Sequence, residues 1–240
     1  MMRIVALGDI HAPIYFKEFL SALNKFSHFN QKALVLLAGD LVDKGKIEFM
    51  KPVIRAISSK INGRIIGIFG NEEYDSLKEK IRKECSSVIW LDDEAYYYEN
   101  EDLKIVIIGS RGVLDKPTLW QRRNIPNIEE IYSERLVKIE SLLRKVPFGF
   151  YSILLTHYAP TYLTLEGEDR RIWSMLGSKR LERVLLKYQP RLAIHAHAHK
   201  SVRFEAYLKS TRVINVSFPA RRDIVLISLE TRRGLEKFLF

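Results

Sequence analysis

What most restricts the possible folds of this 240-residue chain is a repeating order: an apolar run of strand length, a short polar motif, then an amphipathic stretch of helix length. The first third reads as strand 2–8, helix 15–27, strand 33–38, helix 45–60, strand 64–69 and helix 74–84. Such alternation calls for a largely parallel sheet with helices packed on it, because parallel neighbours need a crossover that a helix supplies. Strand candidates then crowd together at 87–90, 94–98 and 103–109. Too little chain lies between them for helices, so the sheet turns locally antiparallel or passes into a second sheet.

The second half is less regular. Residues 112–126 hold Pro117 and Pro126 among polar and basic residues and read as an irregular loop. Asn127 is the expected N-cap of a helix from Ile128 to Lys145, which Pro147 stops. A strand at 151–156 precedes a charged loop from Glu166 to Arg171, a helix at 178–188 stopped by Pro190, and strands at 191–195, 201–207, 212–216 and 223–229. With no linker, repeat or low-complexity segment, residues 1–240 are expected to form one α/β domain.

Each strand that runs out into a polar motif delivers Asp, Asn or His: Asp9-x-His11, Gly39-Asp40-x-x-Asp43, Gly70-Asn71-Glu72-Glu73, Thr156-His157 and His195-x-His197-x-His199. Open α/β sheets gather ligand sites at such carboxyl ends, where neighbouring loops converge. Five of the six histidines fall there, and only His28, at the end of a helix, is left over for a structural or solvated role. A bare carboxylate after the apolar run 33–38 is costly unless a cation offsets it. Imidazole and carboxylate donors together suit divalent metals of borderline softness.

Charge and cysteine usage narrow the setting. Net charge is +10, which favours anionic substrates, but the basic residues are scattered, with only local pairs such as Arg122-Arg123 and Arg170-Arg171. Nucleic acid is therefore a possible partner and not the favoured one. A single cysteine, Cys85, forms no internal disulfide and fits a reducing cytoplasm, and no apolar run approaches membrane-spanning length.

In order and spacing these motifs resemble the calcineurin-like metallophosphoesterase family, whose signature is D-x-H, G-D-x-x-D, G-N-H-D/E, a lone His and G-H-x-H. Positions 9 to 199 carry the resemblance. It implies a four-layer α/β/β/α sandwich of two facing mixed sheets flanked by helices. It also implies two divalent ions (Mn, Fe, Zn, Co or Ni), one held by Asp9, His11 and His199, the other by Asn71, His157 and His197, with Asp40 bridging. Two ions against two ligating carboxylates leave a positive site that attracts phosphate and acidifies a bridging water, whose hydroxide attacks phosphorus in line.

Two departures from the signature stand out: Ala196 replaces the usual Gly, and Glu72 replaces the usual His. In the family that His, paired with the acid that here is Asp43, protonates the leaving oxygen. Glu72 beside Asp43 could share a proton and act as the acid, leave protonation to solvent, or turn away and only shape the pocket. Lys44 stands where family phosphatases often carry a phosphate-binding Arg, and Arg111 points toward the same rim from strand 103–109. His195, one alternation outside the ligand pair, either touches substrate or metal, or supports a ligand or packs. Segments 112–126, with Trp120, and Glu166 to Trp173 are candidate cleft walls. The reading is a phosphoesterase acting on a phosphodiester or a small phosphorylated metabolite. A nuclease and a catalytically weakened scaffold are the alternatives.

Overall fold

In the computed structural model, residues 2–26, 32–99 and 103–229 are described. His28 and the end of the expected helix 15–27 lie outside them. The expected order of strands holds, sorted into two sheets. The first contains β1 (Met2–Leu7), β2 (Ala33–Leu37), β3 (Gly63–Ile68) and β4 (Val88–Leu91), all parallel, with β11 (Val225–Leu229) antiparallel on the β1 edge. The second runs β5 (Glu94–Glu99), β6 (Lys104–Ser110), β7 (Tyr151–Thr156), β8 (Leu192–His195), β10 (Thr211–Asn215) and β9 (Glu205–Leu208). Its four central strands are parallel and its two edges antiparallel. The crowded strands 87–109 are explained by the turn at Asp92–Asp93, where the chain leaves one sheet and enters the other.

Alternation along each strand builds the layers, because successive side chains point to opposite faces. In β1, Val5 and Leu7 pack with Phe19 of α1 (Phe16–Leu23), Val53 and Ile57 of α2 (Met50–Lys60) and Ile81 of α3 (Lys78–Glu84). Ile4 and Ala6 face the other way and meet Ile105, Ile107, Ile153 and Ile194 of the second sheet. On that sheet's far face Val106, Ile108 and Leu154 pack on Tyr132 and Ile139 of α5 (Ile128–Arg144) and Leu181 and Leu185 of α6 (Lys179–Tyr188). The result is helices, sheet, sheet, helices. Strands covered on both faces read as continuous apolar runs, which is why β2 is buried throughout.

Local differences have physical causes. The segment 112–126 is not wholly irregular: α4 (Leu119–Asn124) forms on a capping box in which Thr118 and Gln121 satisfy each other's backbone N–H groups. Asn127 adopts left-handed backbone and makes no side-chain cap, so Glu129 and Glu130 in the first turn of α5 are what offset its dipole. The expected helices 45–60 and 74–84 begin later, after 3-10 turns at Ile47–Phe49 and Asp75–Leu77. The charged loop runs into a 3-10 stretch, Arg170–Met175, and a short helix α7 (Phe218–Arg221) follows β10. Among the described residues no helix is long and apolar enough to cross a membrane.

Candidate metal centre

The motif residues sit just past β1, β2, β3, β7 and β8, at one end of the two facing sheets. Hydrogen bonds between backbones lock the first two loops together: Asp9 N–H donates to the Gly39 carbonyl at 2.9 Å and His11 N–H to the Asp40 carbonyl at 3.0 Å. The second sheet joins through His197 N–H, which donates to Asp9 Oδ2 at 2.7 Å, while Ala196 N–H, donating to the His157 carbonyl at 3.1 Å, ties the ends of β7 and β8 to each other. The loops approach closely. At Gly39 (φ 84°) a Cβ would lie 2.5 Å from the Gly70 nitrogen, and at Gly8 one would lie 2.7 Å from Ala196 Cβ. Asp9, His11, Asp40 and His197 all adopt left-handed backbone, a conformation that Asp and His tolerate better than most residues.

Two ligand groups result. Asp9, His11 and His199 offer atoms within 4.8 Å of one another, and so do Asp40, His157 and His197. Asn71 joins the second, its Oδ1 lying 2.9 Å from His157 Nε2. His157 Nε2 is also 3.3 Å from Asp40 Oδ2, and its Nδ1 lies 3.0 Å from the Ala38 carbonyl. That carbonyl accepts the Nδ1 proton and turns Nε2 into the site. Asp9 Oδ1, Asp40 Oδ2 and His197 Nδ1 are buried and have no hydrogen-bond partner.

The electrostatics favour positive charge. Burial would push His157 down, but the Asp40 carboxylate, with Asp9 behind it, holds its imidazole at about 9. Burial would likewise raise Asp9 and Asp40, yet His199 and His157 respectively lead the neighbouring imidazoles that hold both carboxyls below their ordinary range. His197 is pushed down to about 3 by burial and by His157 and His199, leaving a neutral donor. Buried carboxylates, a neutral imidazole and lone pairs without donors are a set that divalent cations satisfy.

The remaining candidates have other surroundings. Glu72 is half-buried and its Oε2 accepts the Lys44 N–H at 2.6 Å, while Asp43 Oδ2 pairs with Lys46 Nζ at 2.8 Å. No hydrogen bond joins the two carboxylates. Burial and then the Asp40 charge push the Glu72 carboxyl up, against the Lys44 N–H. Lys44 is exposed at the mouth.

Arg111 does not reach the rim. It is buried, and its Nη2 donates to the Glu73 carbonyl at 3.1 Å and to Asp75 at 3.0 Å, because these are the acceptors beside the end of β6. His195 lies away from the solvent-open mouth. It is sealed from solvent between Thr164 Oγ1 (2.7 Å) and the Ala196 carbonyl (2.8 Å), and burial holds its imidazole down at about 4. Two further residues belong to the site: Glu73, whose buried carboxylate accepts four backbone N–H groups, and Lys46, neither of which stands out in the sequence. Two neighbouring acids after Asn71, and a Lys three residues after Asp43, were the available signals.

The segment 112–126 is tied to residues on either side of the second wall segment, beside the His197–His199 arm. Lys116 N–H donates to the Ser174 carbonyl, Tyr162 OH to Asp115, and Ala198 packs with Ala159, Leu165, Tyr162 and Trp173. A model of the family described as calcineurin-like phosphoesterase matches residues 2–201. Among solved structures, the chain is similar to a phosphopantetheinyl hydrolase from Mycobacterium tuberculosis, with TM-score 0.70 and 10% identity over 95% of this chain and 96% of that one. It is also similar to a hypothetical protein from Thermus thermophilus (TM-score 0.56, 13% identity, 89% and 75% covered). A 5'-nucleotidase precursor from the same organism has TM-score 0.55 and 12% identity, with 95% of this chain and 51% of that one covered. At these identities the likeness is one of fold, and no curated protein sequence matches the chain. The family match takes in every position of both ligand groups, and the chain belongs to the calcineurin-like phosphoesterase family.

Proposed function

We propose that residues 1–240 form a single two-metal phosphoesterase domain acting on a small phosphodiester, or on a small phosphorylated metabolite. The observation that carries this is the set of buried lone pairs on Asp9, Asp40 and His197 that no donor satisfies, in two convergent groups. Asp9, His11 and His199 would hold one cation, and Asn71, His157 and His197 the other, with Asp40 between them. Mn, Fe, Zn, Co and Ni all suit this donor set. When bound, such ions supply Lewis-acid charge to the phosphoryl oxygens and an acidified water as nucleophile.

The chain's own residues do the rest. The Ala38 carbonyl fixes the His157 tautomer, and Glu72 braces the backbone of Lys44, whose ammonium stands exposed at the mouth for an anionic group. Asp43 is held by Lys46 on the same side. The buried thiol of Cys85 suits the reducing cytoplasm, where we place the protein.

One observation favours a nuclease as the second reading. Lys116, Arg123 and Arg170 are exposed on the walls, and Lys179 at the start of α6, together with Leu119 and Trp120, and cations interleaved with an aromatic suit a phosphate backbone. Hydrolysis of bis-p-nitrophenyl phosphate, p-nitrophenyl phosphate and a single-stranded oligonucleotide across a metal panel separates the readings. The bis ester is expected to be the better of the two chromogenic substrates, with Asp40→Asn and His197→Ala lower by about 10³-fold or more, ~4 kcal/mol in the barrier. Salt-sensitive cleavage of the oligonucleotide alone selects the nuclease. If no metal restores hydrolysis of any of the three, the chain is a scaffold.

A further inference from the structure

Gly39 and Asp40 are left-handed in succession, with φ of 84° and 50°. The turn they begin directs the successive N–H groups of Asp40, Leu41 and Val42 toward one point, and such a concavity holds an anion. Here the concavity is filled from within the chain. Glu73 Oε2 accepts the N–H groups of Asp40 and Gly70, both at 2.8 Å, and Oε1 accepts those of Leu41 at 2.7 Å and Val42 at 3.3 Å. The side chain is fully buried, and the Glu73 carbonyl is in turn held by the buried Arg111.

We propose that Glu73 is a positioning residue for the metal centre, setting the backbone of Asp40 and, through Gly70, that of the adjoining Asn71. The proposal rests on the two-metal reading above. An ionised carboxylate offers about four acceptor sites and no donor, which matches four converging N–H groups. A carboxamide keeps the shape but turns an NH₂ toward two of those donors. With the backbone fixed, the Asp40 side chain has little freedom. Its Oδ1 accepts the Glu72 N–H at 2.8 Å, which leaves Oδ2 toward His157 Nε2. Glu73 touches neither substrate nor metal in this arrangement, so its effect is on where ligand atoms lie.

Titration of the full chain with Co²⁺, followed by visible absorption, reads ligand geometry directly and needs no turnover. Glu73→Gln, shown folded by far-ultraviolet circular dichroism, is expected to bind cobalt at least about tenfold more weakly than wild type, within the range seen when residues supporting a ligand are removed. Its visible bands are expected to shift in position or intensity. If Glu73→Gln does not fold, Glu73→Asp, which keeps the charge but is one methylene short, is judged by the same two readings. A folded variant with wild-type affinity and bands overturns the proposal, and so does failure of both variants to fold, which makes Glu73 a determinant of folding only. Wild type that binds no cobalt overturns the two-metal reading as well, so the two failures are distinguishable.

Discussion

Both ligand groups are built on one Asp and two His, the second adding Asn71, and each has one half-buried histidine, but His157 and His199 are enclosed to different degrees. In the Asp40 group, the His157 side chain is fully buried, tied to the Ala38 carbonyl, and backed by the Glu73 carboxylate beneath Asp40. In the Asp9 group, the His199 side chain is 38% exposed and its Nε2 lies 3.3 Å from both Asp9 Oδ2 and His11 Nε2. Rigid support from backbone lowers the ordering cost of binding, whereas exposure leaves room for exchange and for substrate. On the two-metal reading, tight retention and access would fall to different neighbours.

The contrast is open to direct attack. His157→Ala is expected to lose the enclosed cation, and hydrolysis to fall about 10³-fold or more, ~4 kcal/mol in the barrier. His199→Ala is expected to weaken the open group by about 10–100-fold and to recover activity in excess metal. Metal stoichiometry together with rates across a metal titration checks both. Equal losses, or rescue of His157→Ala alone, would break the comparison.

A smaller effect sharpens it. Asp115 accepts from Tyr162 OH (2.7 Å), Ser178 Oγ (2.8 Å) and Lys179 N–H (2.8 Å), bonds that hold the wall beside the His197–His199 arm. Burial would raise its carboxyl, but the Lys179 N–H and the Tyr162 and Ser178 hydroxyls keep it below the usual carboxylate range. A depressed folded value means that the stabilisation is present above the unfolded value and is lost as pH falls through the folded one. Asp115→Asn is therefore expected to cost about 1–2 kcal/mol near pH 7 and progressively less in acid, as read by denaturant melts across pH. Metal affinity should fall slightly in the open group and stay constant in the enclosed one.

The smallest change is expected at Glu72. If its carboxylate serves mainly to brace Lys44, Glu72→Gln should lower the rate less than about tenfold, ~1.4 kcal/mol in the barrier. The dependence of rate on leaving-group pKa should stay unchanged across a series of aryl esters. A steeper dependence in Glu72→Gln would instead make Glu72 the proton donor.

What the sequence made legible was set by neighbours along the chain. Strands buried on both faces announce themselves as apolar runs, and residues such as Asp40 and His157 follow them within three positions, so strand ends and ligand positions were readable together. What was not readable depended on distant partners. His195 looks like a third member of a histidine series until Thr164 is found on its ring. Arg111 looks like a rim cation until Glu73 and Asp75 claim it. The Glu72–Asp43 pair separates because Lys44 and Lys46 supply each carboxylate with its own partner. Helix α4 was hidden by flanking prolines, although Thr118 and Gln121 carried its capping signal.

The contact between Gly8 and Ala196 makes two positions 188 residues apart share the room for one methyl group. In a lineage where position 196 is glycine, a Cβ at position 8 loses that clash and meets only Ala38 Cβ at 3.1 Å and the Gly39 carbonyl at 3.3 Å, contacts that shifts of a few tenths of an ångström relieve. Once alanine is established at 196, as here, the glycine ahead of Asp9 can no longer change alone. The departure at Ala196 is therefore half of a coupled pair, and the order in which two mutations arrive decides whether the first metal loop survives the second.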